Sequence, residues 1–352
     1  MKKILMIILA MMISLTSLPL YVFANDVSET AESQIAEQNE AIITDSADEP
    51  VAYAAASSSG GQWVQESNGR WWYKHADGSY TKYDWEYING SWYFFDKNGW
   101  MWTEWLQWEG NWYYLNPSGV MHTGWLKDDG KWYYFNSRGI MVYRWNKING
   151  YWYYFDGADG SMNKESFTYD KRTYTFYPYG DHEGALMTTK INIDRQQQEK
   201  SNWCWAASSV MVGTYYTDSQ RGQYGTVFHV KKCWDNVGGN ENEEIEAIDY
   251  ASKGTKKCYS ISRYNIVFNN LRDKIDENHP FLIRLKWNKD KDGKDKGGHA
   301  VVGAGYDQHL GKIWVIDPWE DVESQFYDFK GMIAGDYWFA TGTGHCKAVL
   351  VY

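Results

Sequence analysis

The sequence predicts a multidomain chain, a β-hairpin solenoid of tandem aromatic repeats followed by a non-repetitive α+β domain. Three observations predict it. The 352 residues exceed what one hydrophobic core usually fills. A Gly-x-Trp motif recurs at nearly constant spacing up to about residue 164. Beyond residue 190 the repeat is gone, and an apolar helix-like run is followed by strand-like runs.

The first element is an export signal. Lys2 and Lys3 precede an apolar run from Ile4 to about Leu20, and Val22 and Ala24 stand at −3 and −1 of a cleavage site. Residues 1–24 therefore read as a signal peptide, placing the protein outside the cell with no membrane span after cleavage. Residues 25–61 follow as an acidic, Ala- and Ser-rich stretch, with Asp26, Glu29, Glu32, Glu37, Glu40, Asp45, Asp48 and Glu49 and no Lys or Arg before residue 61. Such composition buries too little surface to fold, so the stretch is a flexible spacer or a short inhibitory propeptide.

Residues 62–164 carry the repeats. The anchors Trp71, Trp92, Trp112, Trp132 and Trp152 each follow Gly-x, with spacings of 21, 20, 20 and 20. A second glycine follows the first at a fixed interval (Gly78, Gly99, Gly119, Gly139), and another Trp closes most units (Trp85, Trp105, Trp125, Trp145). Self-similarity at this period predicts units that stack on their neighbours. Within a unit, Trp132–Phe135 reads as one strand, Asn136–Gly139 as a turn and Ile140–Val142 as the return strand. With 21 Trp and 29 Tyr in the chain, the array is rich in rings that have an apolar face and a polar rim.

These units resemble the choline-binding and glucan-binding repeats of Gram-positive surface proteins, most clearly from Gly124 to Phe135. The resemblance implies pockets for choline, glucan or another cell-wall polymer, formed by Trp92, Trp105, Trp112, Trp125, Trp132, Trp145 and Trp152, with Met121 and Met141 nearby. Glu104 and Arg144 depart from the family's glycine before Trp.

Residues 165–190 lack the period and read as a connection. The domain from 191 to 352 opens on Gln198 and the run Trp203-Cys204-Trp205-Ala206-Ala207. Small and apolar residues after Cys204 predict a buried helix capped by Ser201 or Asn202. A thiol at a helix N-terminus is favoured as the nucleophilic thiolate. Gln198, six residues earlier, is placed to aim an amide at an oxyanion. The candidate base is His299, after Gly297-Gly298 at the start of a strand-like run. Asp317 ends the next such run, Lys312–Ile316, and a hairpin between the two runs brings it beside His299 to orient the imidazole.

This order and spacing resemble the papain-like cysteine peptidases, in particular their bacterial secreted and effector branches. The resemblance implies Cys204 as nucleophile, His299 as base and acid, Asp317 as orienter, Gln198 as oxyanion donor and Trp319 as a shield over the His–Asp bond. Papain itself has Asn where Asp317 stands, so a transglutaminase-like enzyme or a wall amidase is an alternative to an endopeptidase. A non-enzymatic adhesin is the remaining rival.

Other features fit this outline. The net charge of −10 excludes a nucleic-acid partner. Four cysteines (204, 233, 258, 346) allow at most one pair once Cys204 works as a thiol, with Cys233–Cys258 conceivable. No metal site or organic cofactor is implied, and the partners expected are a peptide or protein substrate and a wall polymer. Glu241, Glu243, Glu244 and Glu246 read as the solvated face of an amphipathic helix. Lys286 to Lys296 reads as a polar loop bordering a substrate cleft.

Overall fold

The computed structural model describes residues 60–217, 221–255, 257–294, 296–335 and 337–351. The predicted signal peptide, and the 25–61 stretch up to residue 59, lie outside the described residues.

The repeats are a run of two-stranded antiparallel hairpins: β1 (Gln62–Gln65) with β2 (Trp71–Lys74), β3 (Asp84–Ile88) with β4 (Ser91–Phe95), and β5 (Glu104–Trp108) with β6 (Asn111–Leu115). The pairs β7 (Gly124–Asp128) with β8 (Lys131–Phe135) and β9 (Arg144–Ile148) with β10 (Tyr151–Phe155) continue the run. The hairpin turn is at the anchor glycine. Asp129 and Gly130 both have positive φ (46° and 78°), as do Asn149 and Gly150 (51° and 85°). Two consecutive positive-φ residues between paired strands make the tight primed turn that matches strand twist, which explains the Gly of Gly-x-Trp.

The expected pairing of Trp132–Phe135 with Ile140–Val142 is therefore corrected. Strand β8 pairs with β7, which precedes it, and the 140–142 segment makes only a single bridge, Phe135 to Met141. Its larger role is to join units. Met121, Met141 and Met162 donate their backbone N–H to the carbonyls of Trp92, Trp112 and Trp132 in the preceding hairpins, at 2.7–2.8 Å. The second glycine of each unit makes room for this. A Cβ on Gly119, Gly139 or Gly160 would lie 2.2–2.4 Å from a side-chain atom of Met101, Met121 or Met141.

Residues 165–190 form strands: β11 (Phe167–Tyr169), β12 (Arg172–Phe176) and β13 (Leu186–Ile191). The hairpin β11–β12 packs like the repeats before it. Trp145 meets Tyr174 and Phe176 at ring distances of 5.0 and 5.9 Å, as Trp125 meets Tyr153 and Phe155 at 4.9 and 5.8 Å. Thr173 stands where the Trp of the motif would be, so the unit escapes a search for Gly-x-Trp.

Strand β12 then pairs with β13 and enters a ten-stranded sheet. The helices α1 (Cys204–Tyr215), α2 (Gln223–Lys231) and α3 (Glu241–Ala251) come next in the chain. They are followed by β14 (Tyr259–Ser262), α4 (Phe268–Asp276), β15 (Phe281–Trp287), β16 (Gly298–Asp307), β17 (Lys312–Ile316), β18 (Gln325–Asp328), α5 (Phe329–Ala334), β19 (Tyr337–Phe339) and β20 (Gly342–Val351). The sheet's main path is β11-β12-β13-β16-β15-β20-β14, with β17 between β16 and β18, and β19 on β20. Helix α1 packs on β16 and β15 and is covered by α3. It is buried over most of its surface, from Trp205 to Gly213, as a helix of apolar and small residues with no charged side chain requires. Among the described residues no helix is long and apolar enough to cross a membrane.

All four cysteines are free thiols, so Cys233 and Cys258 are not paired.

Candidate active site and repeat surface

Helix α1 begins at Cys204, as the sequence predicts, but its cap differs. Trp203 is the N-cap and gives no side-chain capping bond; its Nε1 donates instead to the Asp235 carbonyl at 2.9 Å. Ser201 and Asn202 are instead tied to Asn236: Asn202 N–H donates to its Oδ1 at 2.8 Å, and Asn236 Nδ2 donates to Ser201 Oγ at 2.8 Å. The first-turn amides of α1 have no partner within the helix and sit beside the thiol.

His299 is the second residue of β16, paired with Leu285 of β15. Asp317 follows the last residue of β17, the neighbouring strand. The hairpin brings them together: His299 Nε2 lies 2.7 Å from Asp317 Oδ1, with both side chains nearly inaccessible. Asp317 Oδ1 also accepts from the Trp319 N–H at 2.8 Å, an Asx-type turn that fixes the carboxylate. Cys204 lines the same cleft as His299 and acts on the imidazole to favour its charged form. Burial alone would hold His299 down, but the bond to Asp317 and the influence of Cys204 outweigh it and push its pKa up to about 9.

Three further groups hold this arrangement, and sequence reasoning missed them. Ser208, one turn along α1 from Cys204, donates to the Ala300 carbonyl at 2.9 Å, pinning the helix to the residue after His299. Arg195 Nε donates to the Asp317 carbonyl at 2.7 Å and its guanidinium also bonds the Trp319 carbonyl. Trp287 stacks on the imidazole at 6.1 Å and 21°, while Trp319 meets it edge-on at 6.0 Å. The alternation of β15 was a signal for Trp287, two residues beyond the partner of His299. No local pattern marked Ser208 or Arg195.

Gln198 departs from expectation. Its Nε2 donates to the Lys200 and Ser201 carbonyls at 3.0 and 2.8 Å, which uses both amide hydrogens. Its backbone N–H holds the Pro318 carbonyl at 2.8 Å. The expected oxyanion donor is thus turned away in this geometry.

The acidic helix is also corrected. Asn240 and Glu243 form a reciprocal capping box on α3, but Glu244 is buried, 2.5 Å from Arg284 Nε. Arg284 needs a counter-charge on that side of the sheet, and the helix supplies it.

On the repeats, all seven predicted tryptophans are half-buried. Trp105, Trp125 and Trp145 insert between hairpins, Trp105 meeting Tyr133 at 4.8 Å and Phe135 at 5.7 Å. Trp112 and Trp132 stand edge-on to Trp105 and Trp125 at 6.2 and 6.1 Å. Lys127 and Lys147 place ammonium groups 5.3 and 6.0 Å from the rings of Trp132 and Trp152. Trp92 lies 5.2 Å from Tyr87. A separate hollow of about 350 Å³ is lined by Tyr83, Trp102 and Trp108, at positions that vary between units.

Comparison with known proteins agrees with this division. Residues 190–345 match the Peptidase_C39 like family. Residues 80–123, 103–144 and 122–167 each match the choline-binding repeat. The chain therefore carries a Peptidase_C39-like domain behind a set of choline-binding repeats, the combination expected of a cell-wall-associated protein.

Similar solved structures include CbpJ from Streptococcus pneumoniae TIGR4, 33% identical over 35% of this chain and 41% of that one, with a TM-score of 0.32. Choline binding protein F from Streptococcus pneumoniae, solved in the presence of a peptidoglycan analogue, is 38% identical over 35% of this chain and 40% of its own, TM-score 0.32. The multimodular pneumococcal cell wall endolysin from phage Cp-1, complexed with choline, is 39% identical over 34% and 36%, TM-score 0.28. The chain spans about two fifths of the length of these proteins. No curated protein matches it.

Proposed function

We propose that the protein is a secreted cysteine endopeptidase held on a cell-wall polymer by its repeats, with residues 62–164 stacked as a solenoid and residues 191–352 forming a papain-like catalytic domain. The observation that carries this reading is the His299–Asp317 bond of 2.7 Å, with Cys204 at the start of α1 lining the same cleft as the imidazole.

In the resting site Asp317 holds the imidazolium, which in turn stabilises a thiolate on Cys204. The thiolate attacks the peptide carbonyl, forming a C–S bond while the carbonyl π pair moves onto oxygen. The Cys204 backbone N–H is the donor for that oxyanion. Collapse breaks the C–N bond, and His299 gives its proton to the leaving amine. Now neutral, His299 takes a proton from water, whose oxygen attacks the thioester. Release of the acid restores the thiolate–imidazolium pair.

On the repeats, half-buried Trp faces that already attract Lys127 and Lys147 suit a quaternary ammonium such as choline. The family match supports the same ligand.

A peptidyl epoxide tests the catalytic half. It should alkylate Cys204 in the intact chain and spare it in His299→Ala, read by mass spectrometry of the labelled peptide. Equal labelling of Cys204, Cys233 and Cys258 would favour the adhesin.

A further inference from the structure

The repeats hold a hollow that their shared pattern does not build. It encloses about 350 Å³ against the hairpins β3–β4 and β5–β6, and Phe94 and Leu106, both buried, form its apolar base. Three rings stand around that base. Trp108 meets Tyr83 and Phe94 edge-on, each at 4.9 Å, and Trp102 donates its Nε1 proton to the Trp105 carbonyl at 3.1 Å. The rings are therefore fixed, yet Tyr83 is 63% exposed and Trp102 38%. The two units that follow carry no such rings: His122 and Val142 stand for Trp102, and Asp128 and Ile148 for Trp108. Those units stack without them, so stacking is not what these rings are for.

The rest of the lining is polar and open to a ligand. Asp96 accepts the N–H groups of Asn98 and Trp100 on Oδ1, at 2.8 and 2.9 Å, which fixes the carboxylate and leaves Oδ2 free. Among the described residues Lys97 makes no ion pair and the Gln107 amide makes no hydrogen bond. Gln107 also stands where the following units have Lys127 and Lys147. One hollow thus offers flat apolar faces beside an acceptor, an ammonium donor and an amide that is both. A purely apolar partner would bury those groups unpaired, at a cost for each. For a quaternary ammonium, the Lys97 charge offsets the attraction of Asp96. A neutral pyranose suits both sets: its C–H face lies on a ring, and its hydroxyls, donors and acceptors at once, reach the polar groups. The volume has room for a short saccharide, at the lower end of the roughly 300–1,000 Å³ of small-ligand sites.

We propose that this hollow is a saccharide site for neutral hexopyranose units of the wall glycan, separate from the choline pockets of the same repeats. The inference rests on the reading of the repeats as wall-binding and is independent of the peptidase. Two ligands on one polymer hold the chain more firmly than either alone.

Calorimetric titration of the full chain with maltotriose and with chitotriose, under saturating choline, tests it. At least one sugar should bind with a millimolar Kd, and Trp102→Ala should weaken that binding about tenfold. Gln107→Ala, at an exposed position, should weaken it about threefold, and it carries the test if Trp102→Ala does not fold. Retention on a choline-bearing resin should be the same in both variants. The proposal is overturned if neither sugar binds, if both variants bind as the unsubstituted chain does, or if binding appears only when choline is left out. Failure of the choline reading is separately visible, as an unsubstituted chain that takes up sugar yet passes through the resin.

Discussion

In the proposed mechanism His299 is the residue that moves the proton, and its environment makes two pH predictions. Its pKa is pushed up to about 9 against its burial, by the bond to Asp317 and by Cys204. The folded value lies above the ordinary 6.5, so this interaction stabilises the fold fully below about pH 6.5 and is lost as pH rises through about 9. Chemical denaturation across that window should show the loss. The alkaline limb of kcat/KM should lie near 9 for the same reason, because the leaving amine needs that proton. Asp317→Asn should move the limb toward acid by about one pH unit or more and lower kcat on the order of 10²-fold. A limb that stays in place would show that Asp317 does not hold the proton. Cys204, His299 and Asp317 were legible in the sequence because each begins or ends an element whose pattern is local. Ser208 and Arg195 act through a third dimension that no spacing reports, whereas the alternation of β15 pointed to Trp287. Ser208→Ala tests the first of them: it should cost about 1 kcal/mol of stability and reduce kcat by loosening the helix against the strand carrying His299. Unchanged kcat at lowered stability would make the tether purely structural.

At the scale of the element, the repeat unit reveals what its glycines are for. The anchor glycine completes a turn with two positive φ angles, and the second glycine lets the methionine of the preceding unit lie against it. Gly139→Ala places a methyl 2.3 Å from Met121 Sδ at a φ of +73°. It should therefore cost about 2–4 kcal/mol, adding left-handed strain to overpacking. Thermal unfolding followed by Trp fluorescence checks this, and a loss below 1 kcal/mol would mean that the stack relaxes freely. The period was legible from sequence because Gly and Trp recur. The pairing partner was not, because the strand on either side of Trp132–Phe135 alternates equally well, and only the turn geometry decides between them. The hairpin β11–β12 was hidden for another reason. Tyr174 and Phe176 keep the packing while Lys171 and Thr173 replace Gly and Trp, so stacking survives without its motif.

For the whole molecule, this hidden hairpin has a mechanical consequence. Strand β12 receives Trp145 from the repeats and also pairs with β13 in the sheet that carries His299. The repeats and the sheet that carries His299 thus share a strand instead of being joined by a loose linker. The repeats should retain the chain on a choline-bearing resin, with Trp132→Ala lowering the choline concentration needed for elution while leaving cleavage of a soluble peptide intact. Elution at an unchanged concentration would place the ligand elsewhere, the hollow at Tyr83, Trp102 and Trp108 being the next surface to probe. The central claim is that the Cys204 thiolate cuts peptide bonds, and it is met most directly by exposing a mixed peptide library to the purified chain and to its Cys204→Ala variant. New peptide termini should appear with the first and none with the second. Termini that appear equally with both proteins, or with neither while both remain folded, would contradict it.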